Sequence, residues 1–258
     1  MKAIVKGLII GGIIALIGVI ILIAVLAVNG WSVKDPNFEM QTYTAEGDYT
    51  ALEIKIGAGS VKTEFYDGEN IVIEYPVSKA YKTEFKTEGT TLIYSAEMKR
   101  IIWFGTVNIP DAVVKLPNKL IDIEFDIGAG SAYLADGVYG KVDIDIGAGS
   151  FNAANIECAN LVCEVSAGSA KINAVTCSTA DIDISAGSFK IDKITCQITA
   201  IDVSAGSANI GFTGARSEYG ITTDVSAGSC NVISQTGTTD KSIDVDVSAG
   251  SVNLSFEN

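Results

Sequence analysis

The sequence predicts an all-β chain: a single-stranded parallel β-helix, or β-solenoid, with coils of 19–22 residues, preceded by one transmembrane helix. Three observations predict it. The tripeptide Ala-Gly-Ser recurs at a nearly fixed interval. The residues around it alternate between apolar and polar. The first thirty residues hold one long uncharged apolar run.

The N-terminal element comes first in the chain. Residues 7–28 form a stretch of 22 residues with no charge and no strong polar group. About 20 apolar residues suffice to cross the hydrocarbon core as a helix. Lys2 and Lys6 precede the run, and Asp35 and Glu39 follow it. Positive residues stay on the cytoplasmic side, so the N-terminus is expected in the cytoplasm and everything after Trp31 outside the cell. The alternative is a cleaved signal peptide with Val25-Leu26-Ala27 at its processing site. Against it, the run exceeds the roughly 7–15 apolar residues of such a signal. Gly7 and Gly11 have the spacing of a helix-dimer face, although glycine is ordinary in membrane helices.

The repeat is the strongest feature. Ala-Gly-Ser begins at Ala58, Ala129, Ala148, Ala167, Ala186, Ala205, Ala227 and Ala249; from Ala129 the intervals are 19, 19, 19, 19, 22 and 22 residues. A fixed period near twenty means a solenoid, each repeat one coil stacked on the last. Two residues before the alanine stand Ile127, Ile146, Val165, Ile184, Val203, Val225 and Val247; four before it stand Phe125, Ile144, Cys163, Ile182, Ile201, Thr223 and Val245. Between these columns run Asp126, Asp145, Glu164, Asp183, Asp202, Asp224 and Asp246. Apolar, acidic, apolar is the period-two pattern of a strand buried on one face. Past the motif the alternation resumes, so each coil is expected to hold a strand, a corner and a second strand. The corner glycine is expected to take a positive φ, and stacked Ser131, Ser150, Ser169 and Ser188 to hydrogen-bond along the rod. The chain after Ala58 makes roughly ten coils and a rod of about 50 Å, right-handed by expectation.

The chain then divides into residues 1–30 (cytoplasmic tip and signal-anchor helix), 31–48 (linker), 49–120 (irregular N-terminal β coils) and 121–258 (regular repeats). In the irregular part Val77-Ser78-Lys79-Ala80 and Leu92-Ile93-Tyr94-Ser95-Ala96 look like decayed corners. The apolar run Arg100-Ile101-Ile102-Trp103-Phe104 reads as a plug over one end, or as a contact with a partner or membrane. The extra residues between Ala205 and Ala227 fall within 211–220. At the C-terminus Val252, Leu254 and Phe256 continue the alternation with no polar cap, although repeat arrays normally need one. The expectation is that Phe256 folds over the end or that the end meets a second copy.

A short basic N-terminus, a membrane segment, a degenerate strand-rich region, a Lys115-Leu116-Pro117 element and repeated Asp-Ile-Gly-Ala-Gly-Ser units resemble the bacterial putative-adhesin family, the DUF4097-type β-solenoid proteins. The resemblance covers roughly residues 40–258. It implies a parallel β-helix, an envelope location and an adhesin role. It supplies no catalytic residues.

Composition narrows the chemistry. Beyond residue 30 there are 16 basic residues against 31 acidic ones. Phosphate binding needs clustered Lys and Arg, so no nucleic-acid partner is expected. There is no histidine, which removes the commonest general base and zinc ligand. A second acidic column holds Glu124, Asp143, Asp181 and Asp244. Neighbouring unit charges at the strand spacing repel by about 1 kcal/mol in water. Such a face either binds a hard cation such as Ca²⁺ or is a solvated surface that keeps strands from pairing with other chains. Paired carboxylates also suit glycoside hydrolysis, but these acids follow the repeat instead of breaking it, and only Arg100 and Arg216 could hold an acidic sugar. Cys158, Cys177 and Cys196 share one column; Cys163 and Cys230 fall in apolar columns. Disulfides or a soft-metal site are open to them, but in-column stacking favours small buried apolar packing. No cofactor and no catalytic or metal-ligating residue is assigned. The sequence therefore reads as a membrane-anchored extracellular binding module, not an enzyme. A surface glycan or envelope protein is its expected partner, with self-association through the solenoid ends or membrane helix. An envelope scaffold or stress-signalling component is the alternative, ahead of a polysaccharide-active enzyme.

Overall fold

The computed structural model describes residues 37–99 and 108–257. The expected membrane helix, the first part of the expected linker and the apolar run 100–104 lie outside the described residues. Among the described residues no helix is long and apolar enough to cross a membrane.

The chain is all-β, and alternation builds its strands. In Asp122–Ile127 the buried residues are Ile123, Phe125 and Ile127, and the acids between them face out. The same pattern recurs in Lys141–Ile146, Asn160–Val165, Thr179–Ile184, Ile198–Val203 and Lys241–Val247. After the corner each continues as a second strand, among them Ser150–Glu157, Ser169–Thr176 and Ser188–Thr195. Each coil thus gives one strand to each of two sheets, and their inner faces share one apolar core. Pairing is parallel and in register at the repeat interval: Ile144 lies between Phe125 and Cys163. The only helical element among the described residues is the 3₁₀ turn Arg216–Glu218.

The corners stack as tightly as the strands. Ala148 N–H donates to the Gly128 carbonyl at 2.7 Å, and Ser150 N–H to that of Gly130 at 3.0 Å; the same two bonds repeat from coil to coil. Here the structure corrects an expectation. Of the corner glycines only Gly59, in the irregular N-terminal part, has a positive φ, +100°. The others are needed for close approach: a Cβ on Gly168 would lie 2.3 Å from the Gly149 carbonyl oxygen. The serine column is also held mainly through the backbone, although Ser131 Oγ does donate to Ser60 Oγ at 2.8 Å.

Core packing alternates along the rod. Ala132, Phe151, Ala170, Phe189 and Ala208 occupy one column in consecutive coils, all at most 3% exposed. A ring on every second rung fills the space that its alanine neighbours leave, as interdigitating cores require.

At both ends the order of coils departs from the order of the chain. The coil of Ala51–Ile56 and Ser60–Tyr66 pairs directly with that of Asp122–Ile127 and Ser131–Leu134. The chain between them runs outward, making Thr91–Met98 and Ala112–Pro117 the next rung. Three antiparallel strands complete this end: Tyr81–Glu88 on Thr91–Met98, Ile71–Val77 on Ala112–Pro117, and Glu39–Ala45 on Ile71–Val77. Part of the expected linker is therefore the edge strand Glu39–Ala45. The 92–96 segment is a strand, not a corner, whereas Ser78–Ala80 does turn the chain between strands of different sheets. At the other end the last coil, Lys241–Val247 with Ser251–Phe256, is not outermost. It lies between the coil of Ile198–Val203 and Ser207–Phe212 and the coil of Tyr219–Val225 and Ser229–Cys230. The expected abrupt C-terminus is thus corrected: Val252 and Leu254 are 3% exposed inside the array. Phe256 stacks on Phe212 at 5.6 Å rather than closing the end.

Candidate binding surface

The two sheets turn two different faces to solvent. On one, Asp126, Asp145, Glu164, Asp183, Asp202, Asp246 and Asp224 align in this spatial order, with Lys55 opposite Asp126 at the N-terminal end. The second acidic column is interrupted: Glu53, Glu124 and Asp143 are contiguous, but Val162 and Ala200 then separate Asp181 from its acidic neighbours. Crowding shows in the carboxyls. Partial burial and then Glu53 and Asp143 push Glu124 above its ordinary pKa; partial burial and then Asp126 and Asp143 do the same to Asp145. Lys141 relieves the crowding by an ion pair with Asp143 at 2.6 Å. The acids run along the rod without converging, and among the described residues no group of three acidic or cysteine side chains is placed to hold a metal ion.

The opposite face carries a column of lysines and amides. Lys62, Tyr133, Asn152, Lys171, Lys190, Asn209 and Asn253 occupy one outward column. Tyr133 is 43% exposed. Its ring borders a surface hollow of about 270 Å³ that Ser60, Lys62, Asp111 and Asn152 also line. The stacking brings together a cation, an aromatic plane, a carboxylate and an amide from four coils. Tyr133 and Asn152 stand one repeat interval apart, each four residues past its motif alanine. Their neighbourhood with Lys62 and Asp111 has no such signal, because those residues belong to coils that leave chain order.

A third feature lies where each second strand ends. Tyr139, Cys158, Cys177 and Cys196 recur at intervals of 19 residues, and the thiols of Cys158 and Cys196 flank that of Cys177. Cys158 and Cys196 are buried. This agrees with the apolar-packing expectation for those two, while Cys177 is only half-buried. Cys163 lies wholly in the core, where burial pushes its thiol up.

An extended rod of in-register coils, with its surface laid out in one-residue columns, defines the class: an all-β solenoid. The chain belongs to the Toastrack DUF4097 family, which it matches over residues 49–258. No curated protein matches it. Among solved structures, a putative adhesin from Bacteroides fragilis aligns with a TM-score of 0.54 at 13% identity, covering 84% of this chain and 97% of that one. That likeness shows the fold. A putative adhesin from Parabacteroides merdae aligns at 0.49 and 17% identity, over 84% of this chain and 96% of that one. A protein from Parabacteroides distasonis named as lipid-binding aligns at 0.46 and 15%, over 86% and 97%.

Proposed function

We propose that the chain is an adhesin-like surface binding module, tethered to the cell membrane by residues 7–28 with its solenoid outside the cell, and that it binds a surface glycan through its lysine- and amide-bearing column. The observation that carries this reading is the hollow bordered by Tyr133, Lys62, Asp111 and Asn152. An exposed tyrosine ring gives a sugar an apolar plane to stack on. Amide and carboxylate groups around it accept and donate hydrogen bonds to hydroxyls. The column beyond it repeats amides and lysines at about 4.8 Å, so a polymer lying along the rod meets the same chemistry on each rung. A structural relative named a putative adhesin and the uncharged run behind Lys2 and Lys6 support the surface placement.

The test is retention of cell-envelope polysaccharide by the full-length protein in detergent, with and without Ca²⁺, alongside a Tyr133→Ala variant. Retention that Tyr133→Ala reduces at least tenfold is the expected result. Equal retention by the variant, or capture of membrane proteins alone, would overturn glycan binding at this face; the second result would favour an envelope scaffold. Retention that needs Ca²⁺ and ignores Tyr133 would move the site to the acidic face.

A further inference from the structure

The cysteine column offers chemistry that glycan binding does not use. Strands Ser169–Thr176 and Ser188–Thr195 pair in register up to Thr176 opposite Thr195, and the next residues are Cys177 and Cys196. Cys177 N–H donates to the Thr195 carbonyl at 3.0 Å. Neighbouring rungs stand about 4.8 Å apart, inside the Cα separation of roughly 4.4–6.8 Å that a disulfide accepts. Both cysteines line a surface cavity of about 390 Å³ together with Thr176, Gln197, Asp240 and Lys241; Cys158 does not line it. Thr199, 1% exposed, directs its hydroxyl at the Cys196 sulphur.

We infer that Cys177 and Cys196 form a reversible inter-coil disulfide, made by exchange with a small-molecule disulfide that enters through the cavity. Cys196 lines the cavity, as Cys158 does not, and hydrogen bonds from the Cys177 thiol and then the Thr199 hydroxyl hold its thiol below the ordinary range, so Cys196 is the attacking group. Cys196 releases its proton to water, and its thiolate attacks one sulphur of the small disulfide. That S–S bond breaks, a mixed disulfide forms on Cys196, and the departing thiolate takes up a proton. Cys177 then loses its proton and attacks the Cys196 sulphur, displacing the second small thiolate, which is protonated in turn. Two protein thiols and one small disulfide become one protein disulfide and two small thiols. Two electrons leave the protein.

Full-length protein, first reduced, is incubated with oxidised glutathione, alkylated and digested with trypsin. Cleavage after lysine and arginine places Cys158 in residues 142–171, Cys177 in 172–190 and Cys196 in 194–216, so the partners separate. The expected product is a cross-link between 172–190 and 194–216 that dithiothreitol reverses. A Cys158–Cys177 cross-link in its place, or glutathione adducts without any cross-link, would overturn the assignment. In Cys196→Ser the cross-link rate is expected to fall at least tenfold although Cys158 still lies beside Cys177. An undiminished rate to Cys158 would show that the cavity and Cys196 play no part.

Discussion

The middle of the rod and its two ends share a hydrogen-bonding pattern but not a chain order. From Asp122 to Phe212 each coil stacks on the one before it, and the columns repeat at 19 residues until a register shift after Ile191 sets Phe212 opposite Ile194. At each end the chain passes over a rung, builds the outer one and leaves the inner one to a distant segment: 51–66 at one end, 241–256 at the other. A growing stack must stop somewhere, and an exposed sheet edge invites pairing with other chains. Placing a distant segment inside the outermost coil makes the cap depend on residues remote in sequence.

The largest expected effect tests that dependence directly. Among the strands of the described residues, Tyr219–Val225 and Ser229–Cys230 pair only with those of 241–256; a single bridge joins Ile221 to Gln235 on the outer side. A chain truncated after residue 240 should lose two rungs, not one. Hydrogen exchange should show Ser226, Ala227 and Ser229 unprotected, because their N–H groups donate to the carbonyls of Val247, Ser248 and Gly250. Retained protection at Ala227 would mean that the outer coil can dock on the coil of Ile198–Val203, and the inserted order would be wrong.

A smaller effect separates middle from end within one column. Ile182 is fully buried, so Ile182→Thr is expected to cost about 2–4 kcal/mol, from lost packing and a buried hydroxyl without a partner. Thr223 occupies the same column in the outermost coil, where its N–H donates to Ser234 Oγ at 3.0 Å. Thr223→Val should shift stability by no more than about 0.5 kcal/mol. Thermal melts of the two variants decide it, and equal losses would place both residues at the same depth.

The corner glycines sharpen the comparison further. Gly168 admits no Cβ, whereas at Gly147 the nearest atom, the Gly128 carbonyl oxygen, would be 3.1 Å away. The sequence agrees: the position of Gly147 is serine in later coils, at Ser166, Ser185 and Ser204, while that of Gly168 stays glycine. Gly168→Ala is expected to cost about 1–3 kcal/mol. Gly147→Ala should be near neutral, because restricting the unfolded chain offsets the tight contact. Equal melting temperatures would refute the close-approach argument.

The regular array was legible in the sequence because a solenoid converts period into contact: the columns read at 19-residue spacing are the paired columns of both sheets. The ends were not legible, because an Ala-Gly-Ser repeat marks a coil without saying which coil it stacks on. One signal was available. Thr223 is polar in an otherwise apolar column, which identifies an outermost rung, and it pointed to the coil before the last. The lysine- and amide-bearing column could be read off too, but the hollow at Tyr133 depends on Ser60, Lys62 and Asp111, which belong to two out-of-order coils. Apolar spacing could place the three cysteines in line. It could not reveal the cavity that opens beside two of them, because Asp240 and Lys241 arrive from the inserted coil.

The smallest effects concern charge, and they should have opposite signs in the middle and at the end. In the acidic face Asp145 has its pKa raised by partial burial and then by Asp126 and Asp143. A raised carboxyl favours the folded state below its unfolded pKa, and that contribution is lost as pH rises through the folded value. Ionised at neutral pH, Asp145 therefore opposes folding. Asp145→Asn should stabilise the protein by about 0.2–1 kcal/mol at pH 7, with the gain fading at about 1 M salt, where the screening length is ~3 Å. At the C-terminal end Glu218 is held low by Lys241, 2.8 Å away, and by the Ala215 N–H. Its contribution is present above the unfolded carboxyl pKa and lost as pH falls through the depressed folded one. Glu218→Gln should lower the melting temperature at pH 7 and leave it unchanged in strong acid. Melts of both variants from pH 3 to 8 test the pair. Shifts of the same sign would mean that the acidic column is compensated, by bound cations or by partners, and no longer distinguishes the middle of the rod from its cap.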